Sequence, residues 1–174
     1  MKAEYDVEVE WRAFYLRPDT PPEGIRPSPE MGAQAGSVTG RHRQRAQAGG
    51  REMVMPGVIP NTRPAHEATE YAREQGQHEA FHAAVFTLYY GEGRDISRWE
   101  VLREAARRAG LDPDEMQARV ETGAYRERVE EQIREAYAAG ITGVPTYILG
   151  DRYAIVGAQP YEVFVQTLAK LAAE

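Results

Sequence analysis

Two histidines and a glutamate in the middle of the chain have the spacing of a catalytic zinc motif. His78, Glu79 and His82 match the pattern His-Glu-x-x-His. On a helix the two imidazoles would lie one turn apart on the same face, and the glutamate could act as a general base on a zinc-bound water. Glu100 or Glu104 on a later helix could supply a third ligand. A zinc hydrolase is therefore one hypothesis for this chain.

The surroundings of the motif fit a structural role equally well. Val85 stands where metzincin proteases have glycine, and no sheet-forming segment of the zincin type precedes the predicted helix. His78, Phe81, His82 and Val85 share one helical stripe, so packed or surface histidines also explain the pattern. We therefore predict no stoichiometric transition metal on His78 and His82.

The composition excludes several classes of protein. The chain has 174 residues and no cysteine, so disulfides, thiolate catalysis, cysteine-based zinc sites and iron–sulfur clusters are excluded within this chain. A formal net charge of −6 argues against a generally basic nucleic-acid-binding protein. No apolar run approaches the roughly 18 residues of a membrane-spanning helix, and no apolar signal core follows the first residue. We expect a cytoplasmic protein with no nucleic-acid or membrane partner.

The elements that must position any site form a mixed pattern. Residues 7–14 begin with alternating apolar and charged side chains, which is typical of a half-buried strand. Residues 17–60 are rich in proline and glycine and predict a flexible connection. Residues 61–140 predict a series of helices, with ends marked by a cap at Asn61, a capping box over residues 97–100, Pro113 in a first turn, and glycines at 110 and 140.

The last part of the chain predicts a hairpin and a helix. Two short apolar runs, residues 146–149 and 153–156, are joined through Gly150-Asp151, which indicates a hairpin turn. Residues 161–173 have the periodicity of an amphipathic helix. The complete order of strand, connection, helices, hairpin and helix predicts an α/β domain that carries an α-helical insertion.

Residues 140–160 resemble the end of DsbA-like thioredoxin-fold proteins. They read Gly-Ile-Thr-Gly-Val-Pro-Thr-Tyr-Ile and, after the turn, Tyr-Ala-Ile-Val-Gly-Ala-Gln-Pro. In that superfamily the Val-Pro-Thr element, here Val144, Pro145 and Thr146, has a cis proline that faces the active site. A cis bond turns the chain sharply and proline has no N–H to donate, so the neighbouring peptide groups can pair with an extended substrate. The resemblance implies that these three residues bind a protein or peptide substrate.

Three upstream segments resemble the FrnE branch of this family: residues 9–19, 60–66 and 91–96. The related hydroxychromene-carboxylate isomerases also have Val-Pro-Thr, but they follow the hairpin with a Gly-Gln-Asp type of sequence, where this chain has Gly-Ala-Gln-Pro at 157–160. The resemblance therefore implies thiol–disulfide exchange. It also implies a thioredoxin-like part over residues 1–16 and 141–174, the connection over 17–60 and the helical insertion over 61–140.

One part of the family pattern has no counterpart in this chain. Family members begin with a strand and a helix whose N-terminus carries Cys-x-x-Cys, and such a unit takes on the order of 30 residues. We therefore expect that this N-terminal βα unit is missing and that the chain supplies only the cis-proline half of the site, with no catalytic residue, metal or cofactor of its own. The alternative is a non-catalytic peptide-binding protein.

The missing unit has a structural consequence. In the thioredoxin-like arrangement its strand lies between the strand predicted at residues 7–14 and the strand at 146–149, and unpaired N–H and C=O groups on both would favour aggregation. We expect the sheet to be completed by a rearrangement, by a partner chain such as a second copy, or by an upstream segment. We also predict a cis bond between Val144 and Pro145.

Overall fold

The computed structural model describes residues 4–28, 40, 43–44, 46–54 and 56–173. The chain divides into two compact units. One consists of Met1–Leu16 with Glu131–Glu174 and is called the hairpin unit below. The other, Arg17–Glu130, is called the helical unit. Their second boundary falls within a helix that spans Arg126–Ala138.

The helical unit consists of short helices around one apolar core. Its elements are α1 (Arg63–Glu74), α2 (His78–Phe86), a π-helical turn (Thr87–Gly91), α3 (Trp99–Arg108), α4 (Pro113–Glu121) and the start of α5 (Arg126–Ala138). Ala68, Phe81, Leu88, Leu102 and Met116 are completely buried in this unit. Each helix therefore packs against this common core through one apolar face, as the periodicity of its sequence predicts.

The predicted helix ends are formed in part. Asp112 caps α4, since its side chain accepts hydrogen bonds from the N–H groups of Asp114 (2.8 Å) and Glu115 (3.1 Å). The capping box predicted at residues 97–100 is wrong. The Ser97 hydroxyl donates to Asp95 instead (2.7 Å), and Arg98 is the residue that precedes α3. The Asp95 carboxylate also accepts from the Ser97 backbone N–H (3.0 Å), which is the donor that Glu100 would use in a capping box.

The hairpin unit contains the only sheet in the described residues. Strands β1 (Thr146–Leu149) and β2 (Tyr153–Val156) are antiparallel. Gly150 and Asp151 both have positive φ values, of 56° and 54°, as the two central residues of a type I′ turn require. Helix α6 (Tyr161–Ala172) follows. The hairpin and the terminal helix predicted from the sequence are therefore confirmed.

One face of the hairpin packs under α6. Leu149, Ile155 and Phe164 form a buried cluster there. A Cβ atom on Gly150 would lie 2.6 Å from Cδ2 of Leu171, so another residue type here would force the Leu171 side chain to shift. The turn chemistry and the packing thus favour the same glycine.

The strand predicted over residues 7–14 is wrong, because in the described structure these residues form no β ladder. They are held by α5 instead. The Ala13 N–H donates to the side chain of Gln132 (2.7 Å), Arg12 pairs with Glu135, and the ring of Phe14 packs against Tyr137 with centroids 5.5 Å apart. A β-strand needs hydrogen bonds to a neighbouring strand. Among the described residues, no strand lies beside residues 7–14.

The described ends of the predicted connection, residues 17–60, are tied to each other. Ile25 and Ile59 form an antiparallel bridge in which each N–H donates to the other carbonyl (2.8 Å). The Asn61 side chain donates to the Thr20 carbonyl (2.7 Å) and accepts from the Arg63 N–H (3.0 Å). Residues 29–39, 41–42, 45 and 55 of this connection lie outside the described residues.

Two glutamates on the buried side of α1 lie near arginines of α5. Glu67 is 4% exposed, with its Oε1 atom 3.7 Å from Nε of Arg126, and Glu70 is 2% exposed, with its Oε2 atom 3.7 Å from Nη1 of Arg128. Burial raises the pKa of Glu67, although the arginines Arg126 and Arg63 oppose the shift. Glu67 therefore holds its proton more tightly in the folded state than in the unfolded chain.

This burial predicts a pH-dependent effect of Glu67→Gln. Because the folded-state pKa of Glu67 is raised, its contribution to stability is fully present in acid and is lost as the pH rises through that pKa. We expect the free energy of unfolding of the variant, relative to the wild type, to increase between pH 4 and pH 7 in urea titrations. The exposed Glu100→Gln serves as the control. The prediction would be contradicted if the difference in unfolding free energy between Glu67→Gln and the wild type did not change with pH.

Candidate functional site

The backbone around Pro145 is fixed from both sides. The Val144–Pro145 peptide bond is cis, and β1 begins at the next residue, Thr146. The Pro145 carbonyl accepts a hydrogen bond from the Gly157 N–H (2.8 Å), and the Thr146 hydroxyl donates to the Gly143 carbonyl (2.8 Å). The Val144 side chain is 52% exposed. The element therefore presents an apolar side chain on a backbone that its own neighbours hold in place.

The hairpin has an exposed apolar face beside this element. Successive residues of a strand point to opposite faces, so Ile148 and Val156 lie on the face opposite to the cluster under α6. Ile148 is 50% exposed and Val156 is 64% exposed. Within the described ranges, β1 pairs with β2 alone, so its other edge has no strand beside it. Both the apolar face and the edge are available to another segment of protein.

The sequence brings the three predicted substrate-binding residues together, because Val144, Pro145 and Thr146 are consecutive. Their role in binding stays a prediction. Sequence reasoning missed Ile148 and Val156. The signal was present, since both hairpin strands are continuous apolar runs rather than alternating ones, and such runs are typical of strands covered on both faces.

The two histidines of the motif stand in a row of aromatic rings along one helix. The ring centroids of His78 and His82 are 5.9 Å apart, and His82 stacks on Phe86 at 4.5 Å. Nη2 of Arg73 lies 3.1 Å from Nε2 of His78, so this ring nitrogen accepts from a guanidinium. Burial lowers the pKa of His82, and the neighbouring His78 lowers it further.

The residues considered as third ligands are engaged elsewhere or exposed. Glu104 accepts hydrogen bonds from Arg107 and Arg108, which hold its pKa below the ordinary value. Glu100 is exposed at the start of α3. Across the described part of the chain, no group of three or more histidine, aspartate or glutamate side chains is placed to hold a metal ion. The geometry gives the zinc hypothesis no support.

Elemental analysis can test the metal prediction directly. Because zinc in proteins takes three or four protein ligands, we expect protein purified without a histidine tag to contain far less than one zinc per chain. The His82→Ala variant is expected to give the same value. One zinc per chain that is lost in His82→Ala would instead support the hydrolase hypothesis.

None of the helices within the described residues is both long enough and apolar enough to span a bilayer. The longest of them, α5, has 13 residues, whereas a spanning helix needs about 20.

Comparisons with known proteins agree with the hairpin and helices described above. A model of the DSBA-like thioredoxin domain matches residues 1–169. The uncharacterized protein YwbO of Bacillus subtilis is 32% identical over 167 residues, which are 94% of this chain and 82% of that protein. The fold prediction, an α/β thioredoxin-like domain with a helical insertion, is confirmed at the level of the fold class.

Two solved structures are similar along most of the chain. A probable DsbA oxidoreductase from Streptomyces coelicolor superposes with a TM-score of 0.85 at 31% identity, over 94% of this chain and 74% of that one. A 2-hydroxychromene-2-carboxylate isomerase superposes with a TM-score of 0.70 at 25% identity, over 85% of this chain and 72% of that one. With a family match that spans nearly all of its length, this chain belongs to the DsbA-like thioredoxin-domain family.

Proposed function

We propose that this chain provides the substrate-binding half of a thiol–disulfide exchange site of the FrnE type. The observation that carries the proposal is the Val144-Pro145-Thr146 element at the start of β1, in a member of the DsbA-like family. The similarity to a probable DsbA oxidoreductase over 94% of the chain supports it. The sequence Gly-Ala-Gln-Pro at residues 157–160 supports this branch over the isomerase branch.

The substrate of such a site is an extended protein segment. An extended peptide that lies along the cis-proline turn can pair with the main-chain groups beside Pro145, and such hydrogen bonds supply affinity without strong sequence preference. Pro145 donates no hydrogen bond itself. The exposed side chain of Val144 gives the peptide an apolar contact next to the cis bond.

The exchange step needs sulfur that this chain does not contain. A thiolate attacks one sulfur of a substrate disulfide, the new S–S bond forms as the old one breaks, and the second substrate sulfur leaves as a thiolate. A second thiolate then attacks the first sulfur in this mixed disulfide, forms an S–S bond with it and releases the other substrate sulfur as a thiolate, so the substrate is reduced and the attacking pair is oxidised. Because the chain has no cysteine, both thiolates must come from another segment of protein.

We propose that this segment is a strand and helix carrying Cys-x-x-Cys, which docks on the exposed hairpin face at Ile148 and Val156. Its strand would pair with the edge of β1, and its helix would cover the exposed apolar face. Continuous apolar runs such as those of the hairpin are typical of strands that are buried on both faces. The lengths of the relatives support such a segment, since the matched region is only 82% of YwbO and 74% of the Streptomyces protein.

A second candidate is a non-catalytic peptide-binding protein. The complete lack of cysteine favours it, because peptide binding along the cis-proline turn needs no sulfur. The two candidates share the same binding surface and differ in whether a thiol-bearing segment ever completes it.

Peptide binding by the 174-residue chain tests the surface that both candidates need. Val144→Asp places a charge beside the cis bond, and we expect it to weaken binding of a fluorescent unfolded peptide by about tenfold, equivalent to roughly 1.4 kcal/mol. Val54→Asp is the matched control, since Val54 is 44% exposed and lies in the helical unit. Equal binding by the two variants, with unchanged circular dichroism, would contradict the assigned surface.

A further inference from the structure

A short loop joins β2 to α6 beside the proposed substrate-binding element. It comprises residues 157–160 and is called the Gly-Ala-Gln-Pro loop below. Its first N–H group, that of Gly157, donates to the Pro145 carbonyl (2.8 Å). Val156, the last residue of β2, stands opposite Thr146 in the hairpin register. The loop therefore begins directly beside the turn that precedes β1.

The side chain of Gln159 folds back onto the start of this loop. Its Nε2 atom donates to the Val156 carbonyl (2.8 Å), and its backbone N–H donates to the Gly157 carbonyl (3.0 Å). The carboxamide also lies against Gly157, since a Cβ atom built on that glycine would be 3.7 Å from Nε2 of Gln159. Gln159 thus contacts the backbone on both sides of the Gly157 Cα atom.

One peptide group connects the Gln159 amide to Pro145. The Val156 carbonyl and the Gly157 N–H belong to the same planar unit, so a donor that fixes the carbonyl also fixes the direction of the N–H. The bonds run in a chain from Gln159 Nε2 to this carbonyl, and from this N–H to the Pro145 carbonyl. In such a chain each hydrogen bond polarises and strengthens the next.

Glycine makes this peptide group dependent on an outside contact. Gly157 has a φ of 80°, and glycine tolerates many other backbone conformations as well. The glycine therefore allows the observed orientation of the peptide plane without enforcing it. The donor on Gln159 favours the one orientation in which the N–H points at Pro145.

We propose that Gln159 is a positioning residue for the substrate-binding element and acts on Pro145 through the Val156–Gly157 peptide group. The inference rests on the proposed function, because it assumes that the main-chain groups beside Pro145 bind an extended peptide. A backbone that is held in place before the peptide arrives loses less conformational freedom on binding. Gln159 therefore raises the affinity for the peptide without having to touch it.

Two variants separate the loss of the donor from the introduction of a charge. Gln159→Met keeps the length of the side chain and removes the donor at every pH. Gln159→Glu removes the donor at pH 7, but near pH 4 much of the introduced carboxyl group is protonated and can donate again. Residues 140–149 and 153–160 contain no charged side chain, so a change with pH in this variant reports on the introduced group.

Peptide binding is measured by fluorescence anisotropy with labelled insulin B chain whose cysteines are carbamidomethylated. We expect both variants to raise the Kd at least about threefold relative to the wild type at pH 7, as the loss of one hydrogen bond would. At pH 4 the ratio is expected to return toward one for Gln159→Glu and to stay raised for Gln159→Met. Gln166→Glu, on the exposed side of α6, is the matched control and is expected to give a ratio near one at both pH values.

Amide hydrogen exchange at Gly157 gives a readout that does not depend on the peptide. After correction for intrinsic rates, we expect its protection to fall at least about threefold in Gln159→Met and to stay unchanged in Gln166→Glu. A wild-type chain that binds no peptide would refute the proposed function. Intact peptide binding with wild-type affinity in Gln159→Met, or unchanged protection of Gly157 in that variant, would overturn this inference alone.

Discussion

Insulin disulfides are expected to be reduced by dithiothreitol no faster in the presence of the purified 174-residue chain than in its absence. Thiol–disulfide exchange requires a thiolate to form the mixed disulfide, and the chain has no cysteine. A change in the pKa of another residue cannot replace sulfur in this step. The measurement is the turbidity of precipitating insulin chains, with a Cys-x-x-Cys oxidoreductase as the positive control. Acceleration by the chain itself would show that the proposed mechanism is wrong.

The second large effect concerns two phenylalanines close together on one helix. Phe81 is 0% exposed in the core of the helical unit, whereas Phe86, five residues later, is 49% exposed. We expect Phe81→Ala to lower the free energy of unfolding by about 3–5 kcal/mol, because it removes a buried ring and leaves a cavity. Phe86→Ala is the matched control and is expected to lower it by less than about 1 kcal/mol.

Urea denaturation followed by circular dichroism measures both values. Similar losses of stability for the two variants would contradict the placement of α2, with Phe81 facing the core and Phe86 facing solvent. If Phe81→Ala does not fold at all, Phe81→Leu keeps the comparison measurable, since it keeps most of the apolar volume.

The parts of the fold that depend on local chemistry were predictable. The hairpin turn at Gly150-Asp151 and the start of α4 at Pro113 need only a few neighbouring residues, and the structure forms both as the sequence indicates. The predicted capping box at residues 97–100 failed because Asp95 accepts from the Ser97 backbone N–H, which Glu100 would use in the box. Local rules therefore fail where two side chains compete for one donor.

The parts that depend on distant contacts were not predictable in the same way. Residues 7–14 have the alternation of a strand, but a ladder needs a partner strand, and α5 takes its place through Gln132 and Glu135. The sequence also does not show that the helix of His78 continues as a π-helical turn at Thr87–Gly91, because that depends on backbone hydrogen bonds.

In the candidate site, too, some residues were predictable from local sequence and others only from packing. Val144, Pro145 and Thr146 are adjacent in sequence, so one motif is enough to find them and to predict the cis bond that the structure contains. The exposed face at Ile148 and Val156 is defined by what packs on the hairpin, and only the structure shows that α6 covers the other face. Motif recognition therefore locates the site, and packing defines its extent.

Insulin reduction by an extended chain tests the central claim most directly. A strand–helix unit carrying Cys-x-x-Cys is fused in frame before Met1, and the same fusion with both cysteines changed to serine is the control. The account predicts that the fusion accelerates insulin reduction and that the serine control does not. It also predicts that Pro145→Thr in the fusion slows the reduction several-fold by reshaping the turn before β1. A fusion that folds but stays inactive, or one whose activity is indifferent to Pro145→Thr, would contradict the claim that this chain supplies the cis-proline half of the site.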